Sequence, residues 1–193
     1  FYTTYQINGV IDMLNVKYLL VEESNDHNFI QNPNVLGLAW SVDSLLVKDT
    51  ADSLLASMKS MDFSKEAVVL KSEFPSNMSI KYDSQQLDKI ELIINHPTNL
   101  TYDFEAREDQ LMVFSEMYYP HGWNVKIDKQ NASFFPVNYV LRGLRVPAGK
   151  HTIEFIFDPP VIRIGGIIRL ITLLVFISII VFFGYQGFKY KSY

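Results

Sequence analysis

The chain contains no cysteine, which excludes disulfides and thiolate metal sites. A secreted or surface domain without disulfides suits a bacterium better than a eukaryotic secretory route. None of the four histidines, His27, His96, His121 and His151, is spaced as HxH or HxxxH, so no metal site is expected. The sequence also lacks GxSxG, a P-loop and GxGxxG, and no catalytic residue is assigned. Asp103, Glu105, Glu108 and Asp109 cluster without EF-hand spacing and read as a solvated strand end and turn. The carboxylate pair Glu22-Glu23 gives no separation from which glycosidase chemistry could be argued. The stretch FYTTYQING, from Phe1, has neither a charged n-region nor an apolar h-region. The expectation is that export information lies upstream and that this sequence is a fragment or a processed product.

Basic residues are few before residue 161. Residues 161–193 carry Arg163, Arg169, Lys189 and Lys191 and no acid, which leaves 13 basic against 21 acidic residues in 1–160, a net charge of −8. An acidic domain argues against nucleic acid, which selects a basic stripe. From Leu170 to Phe188 there is no charge at all. A helix rising about 1.5 Å per residue over this stretch matches a bilayer core of about 30 Å, so residues 161–188 are expected to form one transmembrane helix, followed by a short basic tail, 189–193. Lys189 and Lys191 favour a cytoplasmic C-terminus, although Arg163 and Arg169 on the other flank nearly cancel them. Arg169 is expected to snorkel to the interface.

The rest of the chain reads as a mixed α/β part, 1–66, and a β-sandwich, 67–160. Residues 9–21 open helix-like and end in the strand-like KYLLV. Residues 22–34 are polar and turn-rich. Strands are expected near 39–42 and 45–48, then a short amphipathic helix over 50–60 with Asp52 as its N-cap. From Ala67 the hydrophobic period becomes two, with AVVLKSEF, MSIKYD, KIELIINH, LTYDFEA, QLMVFSEMYY, GWNVKID, ASFFPV, NYVLRGLRV and HTIEFIFD as strands. Turn signals every 8–12 residues point to an antiparallel sandwich or jelly roll. Asp158-Pro159-Pro160 is expected to be a stiff link that stops both strand and helix. Asn77, Asn99 and Asn131 each begin a short glycosylation-like triplet that also arises by chance.

The densest cluster for chemistry is Tyr118-Tyr119-Pro120-His121-Gly122-Trp123, together with Asn138-Tyr139 and Arg142-Gly143. Aromatic faces beside amide and guanidinium groups suit a sugar, with rings against C–H groups and polar side chains on hydroxyls. The candidate sugar contacts are Tyr118, Tyr119, Trp123, Asn138, Tyr139 and Arg142. The competing reading puts the same residues in a sandwich core and a corner turn.

YYPHGW at 118–123, NYVLRG at 138–143 and VPAGKHTIEF at 146–155, joined by MLNVKYLL at 13–20 and NPNVLGLAW at 32–40, resemble the C-terminal part of YfhO-like bacterial membrane proteins. The chain departs from that pattern in three places. His121 is inserted between proline and glycine, Leu38 stands where arginine is common, and the hairpin turn reads Asp128-Lys129-Gln130-Asn131 where Asp-Gly is common, so an exact type I′ turn is not expected. The resemblance implies a polytopic glycosyltransferase-like parent of GT-C type in the bacterial cell membrane. Such a parent would use a polyprenyl-phosphate sugar donor and decorate cell-surface polymers such as lipoteichoic acid. Its catalytic carboxylate would lie in an early loop upstream of Phe1, so this segment itself is expected to be non-catalytic and to hold no cofactor. Residues 1–160 would be its C-terminal extracytoplasmic domain, with membrane lipid, upstream transmembrane helices and a cell-surface glycan as partners and no nucleic acid. The alternative is a non-enzymatic, membrane-anchored carbohydrate- or protein-binding module.

Overall fold

A computed structural model describes residues 8–23, 26–76 and 78–191, without the side chains of 8, 21–28 and 184–191. Residues 1–7 of the Phe1 segment, Asn77 of its triplet, and the side chains of Glu22, Glu23, His27, Lys189 and Lys191 lie outside the described residues.

The chain is mainly β, with antiparallel sheets and one long C-terminal helix. Helix α1 (Asn8–Met13) leads into a hairpin of β1 (Tyr18–Glu23) and β2 (Asp26–Gln31). The polar stretch expected to be turns is therefore a paired strand, because its hydrogen bonds are met by β1. Then come β3 (Ala39–Val42), β4 (Ser44–Lys48), α2 (Ala51–Met58) and β5 (Glu66–Leu70). The cap of α2 is Thr50 rather than Asp52. The Thr50 side chain accepts from the Ser53 N–H, and Ser53 accepts from the Thr50 N–H in return, forming a capping box. Strands β4 and β5 are parallel, with α2 as the crossover.

The remaining strands are β6 (Leu87–His96), β7 (Asn99–Ala106), β8 (Gln110–Met117), β9 (Trp123–Ile127), β10 (Gln130–Ala132), β11 (Phe135–Val137), β12 (Leu141–Val146) and β13 (Gly149–Phe157). One sheet runs β10-β9-β13-β7-β6 and the other β11-β12-β8-β3. Three expected strands change. MSIKYD makes only a single bridge, Ser44 to Lys81. ASFFPV splits, its ends joining different sheets, and NYVLRGLRV begins pairing only at Leu141. The N-terminal part also contributes β3 to the sandwich, while β5 belongs to the α/β layer, so the two parts interlock across residue 66.

Two cores follow from this layering. Between the sheets, alternation along β13 buries Ile153 and Phe155 against Tyr102, Phe114 and Leu144. Tyr102, Phe114 and Phe155 meet edge to face, with centroids 5.0 Å (Tyr102–Phe114) and 4.9 Å (Phe114–Phe155) apart. Each such pair adds about 0.5–1.5 kcal/mol beyond the burial of its area. Burial also pushes the Tyr102 phenol well above its ordinary pKa. On the other face of the four-stranded sheet, Trp40, Val42, Leu111 and Val113 pack on Met13, Leu45, Phe63 and Val69 of the α/β layer.

Helix α3 spans Pro160–Lys191. Pro160 starts the helix rather than stopping it, because a proline in the first turn loses no intrahelical bond. Pro160–Phe183 is apolar and long enough to cross a membrane. Thr172 and Ser178 donate their hydroxyls to the carbonyls of Ile168 and Leu174, which leaves neither hydroxyl unpaired in hydrocarbon.

Candidate functional site

At one end of the sandwich β8 hands over to β9 through residues 118–122, and β13 hands over to α3. We call this the proximal end. It also holds the starts of β7 and β12 and the end of β11, because Ile156 pairs with Asn99, Met117 with Leu141 and Val137 with Leu141.

The exit of α3 is fixed by glycine. Gly122 has φ +118°, and a Cβ there would lie 2.8 Å from Pro159 Cβ. Its carbonyl accepts from the Asp158 N–H at 2.8 Å. Only a residue without a side chain allows this loop to sit against the start of the helix.

Arg142 is 2% exposed. Its guanidinium carbon lies 4.2 Å from the Trp123 ring centroid and 5.2 Å from that of Phe155. Nε donates to the Met117 carbonyl at 3.0 Å, while Nη1 has no partner among the described residues. Burial lowers its pKa from the usual arginine value, and the charge of Glu116 opposes that shift. A bulge between Leu141 and Arg142 turns this side chain into the sandwich. At Gly143 a Cβ would stand 2.7 Å from Val137 Cγ1, so the glycine lets β12 close on β11.

Asn138 and Tyr139 have φ values of +51° and +70°. Asparagine tolerates this left-handed region better than most residues. The Asn138 N–H donates to the Val68 carbonyl at 2.8 Å, and Oδ1 accepts from the Val68 N–H at 2.9 Å. This double strap ties the β11–β12 turn to β5, an attachment that sequence spacing does not reveal.

The six candidate sugar contacts therefore divide. Trp123 and Arg142 stack on each other, and Tyr118 packs edge-on against Phe134 at 5.3 Å. Asn138 and Arg142 are enclosed, and what they offer is the placing of their neighbours. Tyr119 and Tyr139, 48% and 54% exposed, present their rings outward.

Tyr119 stands on a cleft of about 670 Å³ between the 118–122 loop and the first turn of α3. His121, Asn124, Asp158 and Arg163 supply its polar lining, and Pro159, Pro160 and Val161 its apolar wall. Tyr119 and His121 meet edge to face at 5.5 Å, and Arg163 lies 3.4 Å from Asp158. The inserted His121 falls inside this cleft. Asp158 and Arg163 carry no sequence signal of their own, because the packing of a strand end against a helix start brings them there. Tyr139 stands on a second, mainly apolar groove of about 530 Å³ formed with Val10, Met13, Leu14, Leu55 and Met58.

The far end and the outer face of the five-stranded sheet look different. A small cleft of about 290 Å³ there is lined by Lys89, Asp103, Glu105, Asp128, Lys150 and His151. Lys89 pairs with Asp103 at 3.7 Å and Lys150 with Glu105 at 3.1 Å. His151 Nδ1 lies 2.6 Å from Asp128. The acidic cluster read from the sequence is thus largely ion-paired, with Asp109 bonded to Arg145 at 2.6 Å.

The motifs YYPHGW, NYVLRG and VPAGKHTIEF meet through these contacts, and comparison with known proteins agrees with them. The family model described as bacterial membrane protein YfhO matches residues 70–169. A Bacillus subtilis (strain 168) protein described as uncharacterized protein YfhO is 26% identical over 98 residues. That match covers 51% of this chain and 11% of the relative, so the chain spans a small part of the relative's length. No solved structure gives a significant match. With more than half of its length matched by the family model, the chain belongs to the YfhO family of bacterial membrane proteins.

Proposed function

We propose that the sandwich is an extracytoplasmic accessory domain of a polytopic, glycosyltransferase-like membrane protein. It would lie over the membrane part, cover a polyprenyl-phosphate sugar donor and help position a cell-surface polymer as acceptor. The observation that carries this reading is the cleft of Tyr119, His121, Asn124 and Arg163 at the point where the chain enters its apolar helix. A sugar held there would sit at headgroup height, where a lipid-linked donor presents its own. Tyr119 offers a ring face, Asn124 and His121 offer bonds to hydroxyls, and Arg163 offers a cation to phosphate. Trp123, Arg142, Tyr118 and Asn138 would support the loops that carry these groups, and Tyr139 would extend the surface towards α1.

The test uses the parent protein in membranes. Tyr119→Ala combined with Arg163→Ala should lower transfer of labelled sugar from a polyprenyl phosphate at least tenfold, about 1.4 kcal/mol, with the amount of protein unchanged. Unchanged transfer would overturn the reading. Sidedness is tested separately. With other cysteines removed, Lys129→Cys should react with a membrane-impermeant maleimide in intact cells, and protection until lysis would place the domain inside.

A further inference from the structure

We infer that the proximal end of the sandwich rests on the bilayer as an interfacial surface, with the headgroup layer as its partner. This goes beyond the glycosyltransferase reading and does not depend on it, because it concerns a surface of this chain and holds on either side of the membrane.

Three observations lead there. The first is composition. Leu14, Leu55, Met117, Tyr119 and Tyr139 are all exposed, from 42% at Leu55 to 71% at Met117. Topology collects them at one end: Met117 closes β8, Tyr119 follows it, and Tyr139 sits in the β11–β12 turn. Leu14 and Leu55 line the same groove as Tyr139. Met13 is held at the β8 end by Ser115, whose hydroxyl donates to its carbonyl at 2.9 Å. Isolated exposed apolar residues are ordinary, but Leu14, Leu55 and Tyr139 share one mainly apolar groove. Tyrosine rings at the rim match the aromatic belt of a membrane interface.

The second is the fixed stalk. The packing of Gly122 on Pro159 and the Asp158–Arg163 pair join the 118–122 loop to the first turn of α3. The end of the sandwich therefore cannot stand far from where the helix starts.

The third is depth. A core of about 30 Å takes about 20 helical residues. The apolar span reaches Phe183 and the charge-free run continues to Phe188, before Lys189, so a core of this length begins between residues 164 and 169. Arg163 then stands at the core boundary or up to about 9 Å outside it, and Pro160 lies about 6–14 Å out, in or just outside a headgroup layer about 5–7 Å thick. Loop 118–122, held against Pro159, stands at that height. Arg169 lies at the boundary or up to about 8 Å inside it, within snorkelling reach.

The absence of cysteine supplies the test. The full chain is reconstituted in phosphatidylcholine–phosphatidylglycerol vesicles with one spin label at a time. Labels replace Leu55, Met117, Tyr119 or Tyr139 at the proximal end, and Glu108 or Lys129 at the far end. Each labelled chain must melt with the unlabelled one, so a fold defect at one position leaves the others to decide. The proximal labels should show a higher ratio of oxygen to nickel-chelate collisions than the far-end labels, as expected of groups in the headgroup layer. Proximal labels with the same nickel access as the far-end labels would mean that this end faces water. Labels shielded from both quenchers would mean that protein covers it. Either result overturns the proposal.

Discussion

Where α3 leaves the sandwich, a buried arginine is held between aromatic rings, and an asparagine straps a turn to the neighbouring layer. At the opposite end, Arg107 reaches Asp88 at 2.7 Å and Arg145 reaches Asp109 at 2.6 Å, with all four side chains partly in solvent. Gln110 is buried there, donating to the Asp83 carbonyl and accepting from the Ser41 hydroxyl. The difference lies in what enforces each arrangement. Desolvated groups at the proximal end have no water to fall back on, so losing one partner is costly. Exposed pairs at the far end exchange one good environment for another and are worth at most about 1 kcal/mol each. The buried contacts of the proximal end should therefore be sensitive to mutation and indifferent to salt, and the exposed ion pairs of the far end the opposite.

The largest effect should come from Arg142. Arg142→Ala removes a side chain packed on Trp123 and Phe155 and leaves the Met117 carbonyl without its donor. We expect a loss of about 3 kcal/mol, from lost packing, cation–π attraction and one unmet acceptor. Urea unfolding of the chain in detergent measures it. Arg142→Lys should recover less than half, because an ammonium has neither the planar face nor the Nε donor. A loss under about 0.5 kcal/mol, the range of ordinary surface substitutions, would remove the claimed asymmetry between the ends.

Much of the far end's behaviour should appear only with pH. His151 bonded to Asp128, and Arg145 bonded to Asp109, hold these carboxyls below their ordinary value of 3.8. A carboxyl lowered in the folded state contributes stability that is complete above the unfolded value and fades as pH falls through the folded one. Asp128→Asn and Asp109→Asn keep an acceptor for the Thr152 and Ala148 N–H groups and remove the charge. Each should cost about 1 kcal/mol or less at pH 7, and less in 1 M salt. Melting curves at pH 7 and pH 2.5 check this: the difference from the parent chain should close at the lower pH. A difference that persists there would mean that the side chains act through shape rather than charge.

How much of this was legible in the sequence depended on the range of the interaction. Alternation exposed β6, β7, β9 and β13 because each buries one face locally, β8 is an apolar run because both its faces are covered, and nineteen charge-free residues marked α3. The parallel pairing of β4 with β5, and the strap from Asn138 to Val68, join residues far apart in sequence, and no local period encodes them. Strand β2 escaped because its polar residues are satisfied by a partner strand rather than by burial. Among the candidate site residues, the sequence showed which ones cluster along the chain and left open which side chains face out. Tyr118 and Tyr119 are adjacent and chemically identical, yet one packs on Phe134 and the other lies on the cleft. Strand alternation could have hinted at this opposition, but the chain leaves β8 at Met117, just before both.

The smallest effect tests a residue that departs from the family's pattern. Ile127 pairs with Gln130, so Asp128-Lys129 is a two-residue loop, and both residues have positive φ, +50° and +68°. The type I′ geometry therefore survives without the glycine that favours it. Asp128 tolerates its position because its carboxylate is bonded by the Thr152 N–H and His151. Lys129 makes no hydrogen bond of that kind among the described residues, and its Cβ crowds the backbone, as in any left-handed residue with a side chain. Lys129→Gly removes a strain of about 1–2 kcal/mol and adds freedom to the unfolded chain that offsets about 0.5–1 kcal/mol of the gain. The expected net is a stabilisation of about 0.5 kcal/mol, read as a higher melting temperature at pH 7. Because this term is conformational, it should persist at pH 2.5 and in high salt, where the far end's ion pairs no longer contribute. A gain that vanished in acid would show instead that Lys129 acts through its charge and that the whole far end, turn included, is governed by electrostatics.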